Sequence, residues 1–164
     1  QRRAVKDASS VRSVQRLPLP AGRDARWVAL EYLRWLPRFA RPWIRVTYEA
    51  PDRCRFELAL LNTLLLELRL VTDRSSSDRQ LFEVAGGRLA RTPASSKGRL
   101  EFRETFDGES VLAAVHDFQP SLPWWLYAAT QAKVHLAVMR GFARHLRRAE
   151  HALRSPHAPA TNQA

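Results

Sequence analysis

Three runs decide the fold: Ile44-Arg45-Val46-Thr47-Tyr48-Glu49, Arg53-Cys54-Arg55-Phe56-Glu57-Leu58-Ala59-Leu60, and Leu64-Leu65-Leu66-Glu67-Leu68-Arg69-Leu70. In the first two, Ile44, Val46, Tyr48, Cys54, Phe56, Leu58 and Leu60 alternate with arginine, threonine, glutamate and alanine. A strand sends successive side chains to opposite faces, so this two-residue period marks half-buried strands. In the third, Leu64, Leu66, Leu68 and Leu70 make one apolar face against Leu65, Glu67, Arg69 and Val71. The connections, Ala50-Pro51-Asp52 and Asn62-Thr63, have room only for tight turns. Tight turns make neighbouring strands antiparallel, because a parallel pair needs a long crossover.

The pattern continues toward the C-terminus. Asp78 to Val84 reads as a further strand that runs past Gly86-Gly87 to Ala90, the glycines marking a bulge or bend. Leu100 and Phe102 alternate with Arg99, Glu101 and Arg103, and Asp107-Gly108 supplies a hairpin turn into Val111, Ala113 and Val115. On the other side, Val11 to Leu17 is a strand closed by Pro18 and Pro20, which lack the ladder donor. Arg23-Asp24 opens a helical stretch with Trp27, Leu30, Tyr32, Leu33 and Leu36 on one face, broken by Pro37 and Pro42.

The last element changes period. From Leu122 to about Arg148, Tyr127, Gln131, Val134, Val138, Phe142, His145 and Ala149 recur every three or four residues, while Lys133, Arg140, Arg144, Arg147 and Arg148 gather elsewhere. This is a long amphipathic helix, basic at its C-terminal end where the helix dipole is negative. The expected architecture is α+β: a curved seven-stranded antiparallel sheet wrapped around the long C-terminal helix, with short helices after the first strand. Residues 11–153 form one domain, with 1–10 and 154–164 as flexible tails.

With 164 residues, 45% hydrophobic and 26% charged, the chain has globular composition and length enough for a core without staples. Its single cysteine, Cys54, excludes an intramolecular disulfide and sits in a strand alternation, as an inert buried thiol does. No signal peptide is visible and no apolar run is long enough to span a bilayer. The net charge of +11 attracts nucleic acid, anionic lipid or acidic proteins without choosing among them. The arginines are spread through nearly every element instead of forming a block, which is the pattern of a solvated basic surface.

The run Gly98-Arg99-Leu100-Glu101-Phe102-Arg103, through Asp117-Phe118-Gln119-Pro120 to Leu122-Pro123-Trp124-Trp125-Leu126-Tyr127, resembles poorly characterised bacterial members of the START-like, or SRPBCC, superfamily. The likeness in element order extends from Val11 to about Ala149. It implies the helix-grip fold and a cavity between sheet and C-terminal helix that takes lipids, sterols, polyketides, quinones or other hydrophobic molecules. It does not imply an enzyme.

Candidates for lining such a cavity are Phe102, Glu104, His116, Gln131, Val134, His135, Val138 and Phe142. His135 and His145 lie on or near the expected inward face of the helix, where an imidazole orients a carbonyl, moves a proton or simply completes a core. Ten residues apart, they cannot form a helical metal pair, and no metal or cofactor is expected. His116 and Asp117 point to opposite faces of their strand; Glu104 continues the apolar face of Leu100 and Phe102 unless the strand end turns it to water. Trp124 and Trp125, with Arg140, Arg144, Arg147 and Arg148, form a candidate contact for a membrane or another anionic surface, although core packing accounts for the same aromatics.

No phosphate-cradling glycine loop, nucleophile elbow or zinc spacing is present. The expectation is a cytoplasmic protein, peripheral to the membrane where its rim touches lipid, that binds or transfers a hydrophobic small molecule or lipid without catalysis. An enzyme of cyclase or dehydratase type on the same fold is the alternative, with His116, His135 or Glu104 as acid or base. Nucleic-acid binding through the basic helix ranks lower, because the sheet offers no obvious aromatic platform for bases.

Overall fold

The computed structural model describes residues 11–50, 52–91, 98–120 and 132–154. Its elements in chain order are β1 (Val11–Pro18), α1 (Ala25–Phe39), β2 (Ile44–Ala50), β3 (Arg53–Leu58), β4 (Thr63–Leu70), β5 (Arg79–Gly86), β6 (Ala90–Arg91), β7 (Arg99–Glu104), β8 (Ser110–Pro120) and α2 (Ala132–Arg154). Seven strands pair in the order β1-β8-β7-β5-β4-β3-β2, every pair antiparallel. The sheet is open, with β1 and β2 at its edges, and the expected α+β class with a helix after β1 and another at the C-terminus holds.

The sheet bends where its register slips. Shifts occur at Val11/Ser13, Tyr48/Ala50, Phe56/Glu57 and Glu67/Leu68, and each unpaired residue increases local twist. At the last of these Gly87 turns to φ +114, where an added Cβ would run into the backbone carbonyl of Leu65. The strand therefore stops at Gly86, and Ala90–Arg91 form a separate two-residue pairing with the end of β8. The Asp107-Gly108 hairpin is as expected: Gly108 adopts φ +67, and the Asp107 carboxylate accepts from the Thr105 hydroxyl and the Glu109 amide.

Both helices cover the inner face of the sheet. α1 packs directly on β2, β5 and β7, whereas α2 rests chiefly on β1 and α1. Asp24 caps α1 by accepting from the Trp27 amide at 2.7 Å, and Ala25, Val28 and Ala29 on the same helix have no exposed surface. These small side chains allow a close approach to the sheet. Leu30, expected on the buried face, is 41% exposed, and Trp35 takes the inward place. The helix also runs through Pro37 to Phe39; only the last turn lies beyond it.

In α2 the buried row is Met139, Phe142 and Leu146. Val134, expected inward, is 61% exposed. The three-to-four-residue period was right but its phase was off by about one residue, with Met139 and Leu146 buried beside Phe142. The helix extends to Arg154, beyond the expected Arg148.

Gly87→Ala should destabilise the protein by more than about 1 kcal/mol in chemical denaturation, because it places a Cβ both at positive φ and against backbone. Gly86→Ala, with no atom within 4 Å of its added Cβ, should change stability by less than about 1 kcal/mol. Equal effects would show that the glycines do not set the end of β5.

Candidate functional site

The space between the sheet and the two helices is filled by rings. Tyr32 of α1 contacts Phe102 of β7 and Phe142 of α2, at centroid distances of 5.6 and 5.1 Å. Phe102 meets Phe82 edge-on at 6.5 Å, and Trp35 lies 5.3 Å from Phe142 and stacks on Phe39 at 4.5 Å. Burial pushes the Tyr32 phenol up to about 12, so it stays protonated at neutral pH.

Phe102 and Phe142, expected to line a cavity, are therefore core residues with no exposed surface. Val138 is partly buried against the same core. His116 sits on the outer face of the sheet, its Nε2 4.0 Å from a Glu101 carboxylate oxygen. Glu104 closes β7 at the hairpin, half-buried, where its amide donates to the Asp78 carbonyl. His135 is half-buried and its basicity is lowered by that burial. His145 bridges the helices, with Nε2 2.9 Å from the Glu31 carboxylate. Arg140, Arg144, Arg147 and Arg148 are all exposed. Gln131, Trp124 and Trp125 lie outside the described residues.

A cavity of about 370 Å³ opens elsewhere, between α1 and the inner face of β2 to β5. Its apolar wall is Leu30, Leu33, Cys54, Leu70 and Phe82; Tyr48, Glu49, Asp52, Arg53 and Gln80 complete the lining. The β2–β3 connection holds this end of the sheet: the Leu70 amide donates to the Asp52 carbonyl at 2.7 Å. Gln80 is buried and spends its side-chain amide on the carbonyls of Ser76 and Arg79. Burial raises the Cys54 thiol to about 12, which leaves it protonated and a poor nucleophile at neutral pH. Tyr48 is raised as well, first by burial and then by Cys54.

Part of the charged rim is already engaged. Glu49 pairs with Arg55 and lies 4.0 Å from Arg53, which also pairs with Glu67 at 3.4 Å. Asp52 has no side-chain ion pair among the described residues. No described histidine lines the cavity, and among the described residues no cluster of three or more histidine, cysteine or carboxylate side chains has metal-binding geometry. No described helix is long and apolar enough to cross a membrane.

Sequence reasoning missed this cavity because its wall comes from four strands and a helix, and its members look individually like ordinary core positions. The only available signal was the paired alternation of Tyr48 and Cys54 across one turn.

No family model and no curated protein matches the chain. Among solved structures, DR_A0006 from Deinococcus radiodurans is similar at 18% identity and a TM-score of 0.46, over 88% of this chain and 98% of that one. TTHA0849 from Thermus thermophilus is similar at 17% identity and a TM-score of 0.44, over 90% and 100%. Similarity at this level assigns no residue a role.

One consequence of the burial of His135 can be measured. Its folded-state pKa lies below the ordinary 6.5, so the unfolded chain binds the proton more readily. The stability this group contributes is complete above pH 6.5 and is lost as pH falls from there toward the folded-state value. Thermal melts between pH 8 and 5 should show a smaller acid-side loss in His135→Gln than in the parent; identical profiles would remove His135 as a source of that loss.

Proposed function

We propose that the protein binds a small, largely apolar molecule in the cavity between α1 and strands β2 to β5, without chemically altering it. The observation that carries this reading is the lining itself: Leu30, Leu33, Leu70, Phe82 and a protonated Cys54 make a hydrophobic wall under a polar rim. Its volume falls at the lower end of ordinary ligand pockets. Catalysis is disfavoured because Glu49 and Arg53 are tied to opposite charges and the thiol is held protonated. The acid–base candidates His116, His135 and Glu104 are not among the residues that line this cavity. The arrangement is also consistent with the START-like superfamily, where hydrophobic ligands are the common theme, although here the ligand space lies beside α1 instead of beneath the C-terminal helix.

Because Cys54 is the chain's one cysteine, thiol labelling reads this cavity alone. N-phenyl-1-naphthylamine should bind saturably at one site and slow modification of Cys54 by methyl methanethiosulfonate. Leu30→Trp, at the exposed lip, should weaken that binding by about tenfold through overpacking of roughly 1–3 kcal/mol, with little change in melting temperature. Unsaturable probe uptake, or saturable binding that neither protects Cys54 nor responds to Leu30→Trp, would overturn the reading.

A further inference from the structure

At the end of the β2–β3 hairpin away from the cavity, four large apolar side chains stand in solvent: Phe39 at 48%, Trp43 at 57%, Leu60 at 69% and Leu61 at 70% exposure. The backbone gathers them. The Trp43 and Ile44 amides both donate to Ala40, next to Phe39, and the Ala59 amide donates to the Trp43 carbonyl at 2.8 Å, next to Leu60 and Leu61. Single exposed apolar residues are normal, but several on one end of a monomer mark a contact surface.

The charge around them is mostly positive, with Glu57, the register partner of Arg45, as a nearby carboxylate. Between Glu31 and Glu49 the chain carries Arg34, Arg38, Arg41 and Arg45 and no carboxylate, and none occurs between Glu57 and Glu67. Arg38, Arg41 and Arg45 are exposed. Arg45 reaches the Asn62 side chain at 3.4 Å, which sets its guanidinium beside the Leu60-Leu61 turn. A Cβ on Gly141 would meet the Phe39 ring at 3.0 Å, so the exposed Arg140 and Arg144, each within a turn of Gly141 on α2, flank the same end. The arginines of the outer sheet face are instead matched to carboxylates, as in Arg69–Glu83, Arg79–Glu101 and Arg99–Asp117.

We propose that this end of the molecule docks on the surface of an anionic phospholipid bilayer. Leu60 and Leu61 enter the acyl boundary, Phe39 and Trp43 lie at headgroup depth, and Arg38, Arg41 and Arg45 meet the phosphates. Nucleic acid satisfies the arginines but gives the two leucines nothing to bury against, since they have no ring face for a base. A symmetric second copy buries the leucines but sets the same arginines against one another. A bilayer with anionic headgroups accommodates both. This surface is separate from the cavity, whose mouth lies at the opposite end of β2 and β3, so either reading stands if the other fails.

The test is cosedimentation of the full chain with large unilamellar vesicles of phosphatidylcholine, with and without 30% phosphatidylglycerol, at low salt. Binding should require the anionic lipid and weaken in 0.5 M NaCl. Leu60→Ser/Leu61→Ser, at positions too exposed to disturb the core, should lower partitioning by about tenfold or more, as the loss of several buried methylenes implies. Arg38→Glu/Arg41→Glu should lower it by a similar factor. Circular dichroism and melting temperature should match the parent in both variants. Absence of binding, equal binding to neutral vesicles, or binding unaffected by the leucine pair would overturn the proposal. So would vesicle binding outcompeted by single-stranded RNA with the leucine variant unaffected, or a concentration-dependent dimer that the leucine pair abolishes and vesicles do not compete with.

Discussion

The arrangement depends on how closely α1 approaches the sheet. Ala25, Val28 and Ala29 present almost no side-chain depth, so the helix axis can sit low in the concave face and Tyr32 can reach both Phe102 on the sheet and Phe142 on α2. Gly141 does the same for α2, giving the stacked Trp35 and Phe39 rings room against the helix backbone. With bulkier residues at those four positions the two helices would stand off, and the rings that now close the interior would be separated by voids, each costing stability in proportion to its volume. α1 therefore shares the inner face of the sheet with α2, which packs on α1 and β1 and meets α1 again at the His145–Glu31 contact.

Charge is distributed with equal economy. On the outer face, Arg53 lies beside Glu49 and Glu67, Arg55 pairs with Glu49 and Glu57, and Arg69–Glu83, Arg79–Glu101 and Asp117 with Arg99 and Arg12 continue the pattern. Each exposed pair adds little, but together they offset most of the arginine charge of the sheet. The excess positive charge lies largely on the helices: α2 carries Lys133, Arg140, Arg144, Arg147, Arg148 and Arg154 against Glu150 alone. A composition that seemed to spread arginine evenly resolves in space into a largely compensated sheet and a more strongly basic pair of helices.

The strands were legible because their two-residue period is fixed by backbone geometry and survives any tertiary context. The Asp107-Gly108 turn was legible because a positive φ needs particular residues. The phase of α2 was not, because Phe142 and Ala149 belong equally to the stripe through Val134 and to the one through Met139 and Leu146; only the position of the neighbouring helix selects between them. For the same reason Phe102 was rightly placed inward but could not be assigned to a cavity or to a core, since that depends on whether Tyr32 arrives to fill the space. His116 illustrates the converse: its strand was visible, and register against Arg99 sends it to the charged outer face.

The location of the cavity constrains what could occupy it. Glu49 and Arg53 belong at once to its rim and to the outer ion-pair network that continues to Arg55 and Glu67. An anionic group entering there competes with Glu49 for Arg53, and a cationic one competes with Arg53 and Arg55 for Glu49, unless it turns to Asp52, which has no side-chain ion pair among the described residues. A neutral, apolar group meets Leu33, Leu70 and Phe82 and disturbs nothing. Under the proposed function, a preference for uncharged molecules would follow from this double use, because Glu49 and Arg53 serve both the rim and the ion pairs across β2, β3 and β4.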